Sequence, residues 1–304
     1  MAIEKEIWQN HIVGNLFKDN GFLNAMVNAD QFVLQGKVVH IPQAGGTPTV
    51  VKNRSSLPAT VTNRTDTDVT YSLDEFTSDP VKISNAETVE LAYDKRESVL
   101  AESQAALRET IADSILVAVA PSGTTRIIRT TGAAIVSHMT DATGNRLKFL
   151  PADLRKASKC LDIDGVSIED RFCLMSADMY DQFVDALTET QYRDFSRVYD
   201  EKTGVIGQMY GITIFKRASV LGYTNATPPV VKAYGAAGAA TDNDAVLVWQ
   251  KNSVERAMGE IVAFEQTSNP TYYGDIYSFL VRMGGRKRRT DQKGVLVIVQ
   301  AASA

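Results

Sequence analysis

Ser84-Asn-Ala-Glu-Thr-Val-Glu-Leu-Ala-Tyr-Asp-Lys-Arg-Glu-Ser-Val-Leu-Ala-Glu-Ser-Gln-Ala-Ala-Leu-Arg-Glu-Thr-Ile-Ala-Asp-Ser-Ile-Leu-Val-Ala-Val-Ala120 runs without proline or glycine until Pro121-Ser-Gly123 stops it. Its opening, Ser84-Asn-Ala-Glu87, has the form of a capping box: the serine hydroxyl accepts the N3 amide and the glutamate reaches back. Tyr93, Leu100, Leu107, Ile111 and Ile115 return at helical steps and trace one apolar face. About 35 residues at 1.5 Å rise make a rod of roughly 50 Å. The opposite surface carries Glu90, Asp94, Glu97, Glu102, Glu109 and Asp113. It reads equally as a solvated face and as a docking surface for a basic partner segment.

Upstream the character reverses. Residues 37–83 begin with the strand Val38-Val39-His40-Ile41, turn through Pro42, Gly45, Gly46 and Pro48, and continue through Thr49-Val50-Val51, Ala59-Thr60-Val61-Thr62 and Val69-Thr70-Tyr71. These are Thr/Val-rich segments with period-two alternation and few large apolar residues, which predicts a long polar hairpin with little of its own to bury. Lys52, Arg54 and Arg64 lie in it, and no acid occurs between Pro42 and Asn63. Residues 1–36 place Ile7, Trp8, Ile12 and Leu16 at helical spacing, with Phe22, Leu23 and Met26 available for a second short helix. Helices this short are unstable alone, so the segment is expected to be an arm that leans on something else.

Downstream the chain alternates helix and strand. Pro151 opens a helix closed by Asp164-Gly165, Arg171–Met175 is a buried strand, and Ser176 caps a helix carrying Tyr180, Phe183 and Leu187. Thr188–Thr203 reads as a polar stretch. It leads to Gly204-Val-Ile-Gly207-Gln-Met-Tyr-Gly211 and the strand Ile212–Phe215. Ala245–Trp249, Ile261–Phe264, Tyr277–Val281 and Val295–Val299 complete a strand-rich tail. The class is α+β, with two compact parts and two protruding segments.

The 304 residues carry 32 Lys+Arg against 36 Asp+Glu, a mildly acidic balance that gives no general affinity for nucleic acid. The longest apolar runs, Ile115–Ala120 and Val295–Val299, are far too short for a membrane helix, and Met1–Trp8 lacks the apolar region of a secretion signal. Cys160 and Cys173 are too few for a disulfide framework. His11, His40 and His138 stand apart from one another, and Asp162-Ile-Asp164-Gly165 and Asp242-Asn-Asp244 read as loops. The sequence has no zinc-protease, nucleophile-elbow or P-loop motif, so no catalytic residue, metal ligand or cofactor site is assigned.

One charge run stands out. Arg282, Arg286, Lys287, Arg288, Arg289 and Lys293 are set against Asp291 alone. Its preferred reading is a set of salt bridges within the fold, to the acidic helix; contact with nucleic acid is the alternative.

Taken in order, these segments resemble the major capsid proteins of tailed bacteriophages with the Hong Kong 97-like fold. The likeness is carried by the arm, the hairpin and the rod, and by Asp153-Leu-Arg-Lys-Ala through Asp164-Gly165. It continues through Asp170-Arg171-Phe-Cys-Leu-Met-Ser176 and Gly204-Val-Ile-Gly207-Gln-Met-Tyr-Gly211-Ile-Thr-Ile-Phe215-Lys. Asp170 stands where that family often has glycine. The resemblance implies an N-terminal arm (1–36), an extended E-loop (37–83) and a P-domain (84–150) with a spine helix at 84–120. It further implies an A-domain (151–265) and P-domain return strands (266–304). It also implies pentamers and hexamers closing an icosahedral shell around double-stranded DNA, assembled in the host cytoplasm and carried in the virion. With no long N-terminal extension ahead of the arm, a separate scaffolding protein is expected, together with portal and decoration proteins. On this reading Lys52, Arg54 and Arg64 lie across Glu97, Glu102 and Glu109 of a neighbouring copy, and Trp8 clamps an adjacent subunit. Arg286, Lys287, Arg288 and Arg289 are either internal or face the DNA. An encapsulin-type nanocompartment shares the fold and is the nearest alternative; an enzyme of unfamiliar type and a nucleic-acid-binding module are more distant ones.

Overall fold

A two-stranded ribbon, Val254–Asn269 paired antiparallel with Gly274–Lys287, organises one half of the molecule. The computed structural model describes residues 20–34, 37–43, 50–55, 57–58, 61, 63, 67–84, 95–200 and 203–302. Along the second ribbon strand Tyr277, Phe279, Val281 and Met283 are buried and alternate with less buried Ser278, Leu280 and Arg282. That is the period of a sheet with one covered face. The cover is helix α1 (Lys95–Val119), which buries Leu107, Ile111, Ala112, Ile115, Leu116 and Val119. Gly285 makes the approach close: a Cβ there would lie 2.9 Å from Ile115 Cγ2. Val27–Asn28 adds in parallel to one ribbon edge; Asp74–Thr77 and Val81–Ser84 add antiparallel to the other, completing five strands.

The other half is a seven-stranded sheet in the order Val205–Met209, Ile212–Arg217, Arg171–Ser176, Asn243–Gln250, Val295–Val299, Ile127–Arg129. Leu221–Tyr223 also pairs with Asn243–Gln250. Every residue of Asn243–Gln250 and Val295–Val299 is buried, because both faces are covered. Val246, Val248, Leu296 and Ile298 pack under the helices α2 (Pro151–Ile163), α3 (Ala177–Asp185) and α4 (Glu189–Phe195). Leu247, Trp249, Val295, Val297 and Val299 face the opposite way, into the core shared with α1 and the ribbon. The helix starts follow local chemistry. Pro151 begins α2, where Asp153 accepts the Leu150 amide at 3.2 Å. Ser176 Oγ accepts the Met179 amide at 3.3 Å to begin α3. Gly165, at φ +69°, follows α2 in the left-handed conformation that glycine tolerates best.

Several expectations need correction. The rod is helical from Lys95; residues 85–94, which include most of the proposed capping box, lie outside the described residues, and Ser84 itself ends a strand. Residues 20–34 are no free arm. Gly21–Ala25 is a 3-10 turn, not a second helix, and Phe22, Leu23, Ala25 and Met26 are buried in the chain's own core. The arm's physical rationale fails there because the ribbon and Trp249 supply the apolar surface these residues need. Val50 and Val51 lie in no strand, and the strand expected at 59–62 falls outside the described residues except for Val61; Val38–Gln43 pairs with Thr67–Ser72, with Val33–Leu34 beside them. Thr188–Thr203 contains α4, begun by a Thr188/Gln191 capping box that the polar composition concealed.

The expected domain boundaries also cut across sheet pairing. Val295–Val299, expected among the P-domain return strands, pairs with Asn243–Gln250 of the expected A-domain, and a boundary at 265 would divide one ribbon strand. Residues 74–84 belong with the ribbon, not with the hairpin.

Candidate assembly surface

The exposed part of the hairpin region combines charge with apolar surface. Val50, Leu57 and Val61 are 90%, 80% and 91% exposed. Lys52 and Arg54, on the same stretch, are exposed and ion-paired to nothing among the described residues. Exposed apolar and basic side chains thus share this stretch among the described residues. Arg64 and Trp8 lie outside the described residues, and so does the side chain of Glu97. Glu102 and Glu109 are exposed on α1 and make no ion pair among the described residues. Asp113, on the same helix, is different. It is ion-paired to Arg217 of the seven-stranded sheet, so it is unavailable to an incoming cation.

The basic run is paired internally, with partners other than the acidic helix. It lies on the second ribbon strand, whose register sets Arg286 opposite Glu255 and Arg282 opposite Glu75. Cross-strand neighbours therefore meet first. Arg286 Nε is 2.5 Å from Glu255 Oε1, Arg288 Nε is 3.2 Å from Oε2, and the Arg286 guanidinium lies 5.0 Å above the Tyr71 ring. Arg282 bridges Glu75 and Glu260 at 2.8 and 2.6 Å. Arg289 grips Asp291 at 2.7 Å and, by that hydrogen bond, holds its carboxyl well below the usual carboxylate range. Lys287 Nζ donates to the Ala120 carbonyl at 2.6 Å, just past the end of α1, and burial lowers its pKa.

A cleft of about 530 Å3 lies beside α1, bordered by His138, Asp178, Lys232 and Asp244 among others. Ser176, His138 and Asp244 converge there, but not as a hydrolytic triad. Asp244 Oδ2 accepts from the Ser176 hydroxyl and sits 2.9 Å from His138 Nε2, so the carboxylate stands between hydroxyl and imidazole. The histidine has no direct hydrogen bond to the serine, and Ser176 Oγ already caps α3. The sequence offered no sign of this cluster. His138 and Asp244 are 106 positions apart, and only the sheet brings them together.

At the level of sequence no family model matches the chain, and no curated protein does either. Solved structures do. A capsid structure of the cyanophage P-SCSP1u matches with 19% identity and a TM-score of 0.60, covering 92% of this chain and 87% of that one. A capsid structure of Ralstonia phage GP4 matches at 12% identity and a TM-score of 0.61, covering 92% and 88%. A virus-like particle from Pyrococcus furiosus matches at 10% identity and a TM-score of 0.53, covering 97% and 99%. From ribbon to seven-stranded sheet, this chain has the α+β fold of phage capsid subunits.

Proposed function

We propose that the chain is the major capsid protein of a tailed phage, assembling as pentamers and hexamers into an icosahedral head that encloses double-stranded DNA. The observation that carries this is agreement in fold over about nine-tenths of the chain with phage capsid structures, nearly end to end on both sides. The exposure of Val50, Leu57 and Val61 on the hairpin stretch fits a segment that a neighbouring copy covers.

In this reading the ribbon and α1 form the P-domain with its spine helix, and the seven-stranded sheet with α2–α4 forms the A-domain. The segment between Gln43 and Thr67 is the tip of the E-loop. Lys52, Arg54 and Arg64 of one copy lie across Glu97, Glu102 and Glu109 of the next. Exposed pairs of this type are worth only about 0.2–1 kcal/mol each, which lets misplaced subunits detach while repetition around a shell adds the pairs up. Trp8 extends the same logic, clamping an adjacent subunit from the N-terminal segment. Scaffolding, portal and decoration proteins are the further partners, and packaged DNA is met through non-specific contact. Because Arg286, Arg288 and Arg289 are engaged by Glu255 and Asp291, they are weak candidates for that contact.

A second reading, an encapsulin-type nanocompartment, draws on the match to the Pyrococcus particle, which covers 99% of that chain. Electron microscopy of the expressed protein, alone and with its scaffold, tests the proposal. Closed icosahedral particles are expected; a protein that stays monomeric at high concentration under both conditions would count against it. Particle contents, DNA or enzyme cargo, separate the two shells.

A further inference from the structure

The cleft beside α1 holds a histidine between two carboxylates that arise from different elements. His138 lies in the loop joining the paired strands Ala134–Val136 and Asn145–Leu147. Its Nε2 is 2.9 Å from Asp244 Oδ2, on the central strand of the seven-stranded sheet, and 4.0 Å from Asp178 Oδ2 in the first turn of α3. Nδ1 has no hydrogen-bond partner among the described residues, so the ring is tied to its surroundings through Nε2. The other charged groups facing the cleft are accounted for: Arg217 holds Asp113, Lys232 holds Asp242, and Asp141 is exposed in the same loop as His138.

We propose that His138 is a protonation-dependent clasp: as imidazolium it bonds Asp244 through Nε2–H, with Asp178 as a second countercharge, and pins the 137–144 loop to the sheet; as neutral imidazole it keeps only an uncharged Nε2–H bond to Asp244 and holds the loop less tightly. The proton leaves the unpartnered Nδ1, so the Nε2–H bond to Asp244 remains but loses its charge assistance, and the attraction of both carboxylates for the ring is lost. The loop has few other ties. Its Thr143 amide donates to the Ala240 carbonyl at 3.0 Å, its Thr143 carbonyl accepts from Arg146 Nη1 at 3.0 Å, and Asp141 lies against Gly238, so among the described residues 137–142 have no hydrogen bond to the sheet other than through His138. Arg146, buried at the foot of the hairpin and bonded to the Asp242 carbonyl at 3.0 Å, keeps the hairpin base in place, so release is confined to the loop.

Burial disfavours the imidazolium, but the hydrogen bond to Asp244 and the charges of Asp244 and Asp178 outweigh it, so the His138 pKa is raised above its ordinary value. The clasp is therefore fully engaged below the unfolded-state pKa of about 6.5 and is lost as pH rises through the higher folded-state pKa.

Hydrogen–deuterium exchange of the full-length protein between pH 5.5 and 9, each rate divided by its intrinsic rate at that pH, reads the clasp directly. Protection of amides 137–144 is expected to fall about tenfold as His138 titrates, the order expected when one hydrogen bond loses its charge assistance, while strand Asn243–Gln250 stays unchanged. His138→Gln should abolish the step, and Asp178→Asn should move its midpoint to lower pH. A loop whose protection ignores pH, a step that persists in His138→Gln, or a midpoint unmoved by Asp178→Asn each overturns the proposal. If His138→Gln does not fold, Asp178→Asn, at an exposed position, still decides the matter. The measurement concerns the subunit and gives the same answer whether or not that subunit builds shells.

Discussion

The Trp249 indole donates its Nε1–H to the Ala25 carbonyl at 3.0 Å, joining the central strand of the seven-stranded sheet to a segment 224 positions earlier. Both partners are buried, so the bond has no water to replace it. Trp249→Phe keeps most of the ring but strands the carbonyl, at a cost of about 1–3 kcal/mol. Urea unfolding of the subunit checks the loss. Proteolysis should show residues 20–26 cut first in the variant; equal resistance would mean the tie is redundant.

Glu255 is almost completely buried and serves both Arg286 and Arg288. Glu255→Ala leaves a largely buried guanidinium uncompensated, so a loss of about 3–5 kcal/mol is expected. Arg289→Ala, which dissolves an exposed pair with Asp291, should cost no more than about 1 kcal/mol. Comparable losses in denaturant titrations would contradict the difference in burial on which this rests.

Gly207 lies where its strand passes α4, and a Cβ there would come within 2.5 Å of the Phe195 ring. Gly207→Ala must displace that ring from the core it shares with Phe183 and Tyr180, at about 1–3 kcal/mol. A thermal shift assay reads this; an unchanged midpoint would show that Phe195 gives way freely.

If the proposed pairing holds, replacing Arg54 and Arg64 together with glutamate should stop particle formation and leave a folded subunit, because it would set like charges against Glu97, Glu102 and Glu109. Circular dichroism establishes the fold and sedimentation the assembly. Normal particle yield from the double variant would remove the charge-pairing hypothesis. Restored yield on adding Glu102→Lys and Glu109→Lys would support it.

Deletion of residues 2–12 tests the clamp assigned to Trp8. Particles are expected to form but to fall apart at lower denaturant concentration than the parent, as followed by light scattering. Equal resistance would dismiss the clamp.

What the sequence made legible follows from range. Periodic and capped segments were readable: the apolar face of α1, Pro151 before α2, Ser176 before α3, and the strands Arg171–Ser176 and Val295–Val299. Pairings between distant segments were not. Composition describes Phe22 and Leu23 well enough as apolar residues on a short element, but their burial depends on strands more than 200 residues later. The basic run shows the same limit. That Arg286 would be internal follows from its place within a strand, but that its partner is Glu255 and not the rod is a matter of ribbon register. His138 is the extreme case, its two carboxylates supplied by separate elements.

The ribbon also constrains the order in which the molecule can mature. Val27 and Asn28 find their partners only at Glu255 and Arg256, and Asn243–Gln250 is flanked on one side by Val295–Val299. A nascent polypeptide leaving the ribosome thus cannot finish the ribbon sheet before Gly274–Lys287, or the seven-stranded one before Val295–Val299, has been translated, and contacts this distant in sequence close slowly. A chain cut short before Val295 leaves one edge of Asn243–Gln250 without its partner, so truncated products lack the buried centre of the seven-stranded sheet.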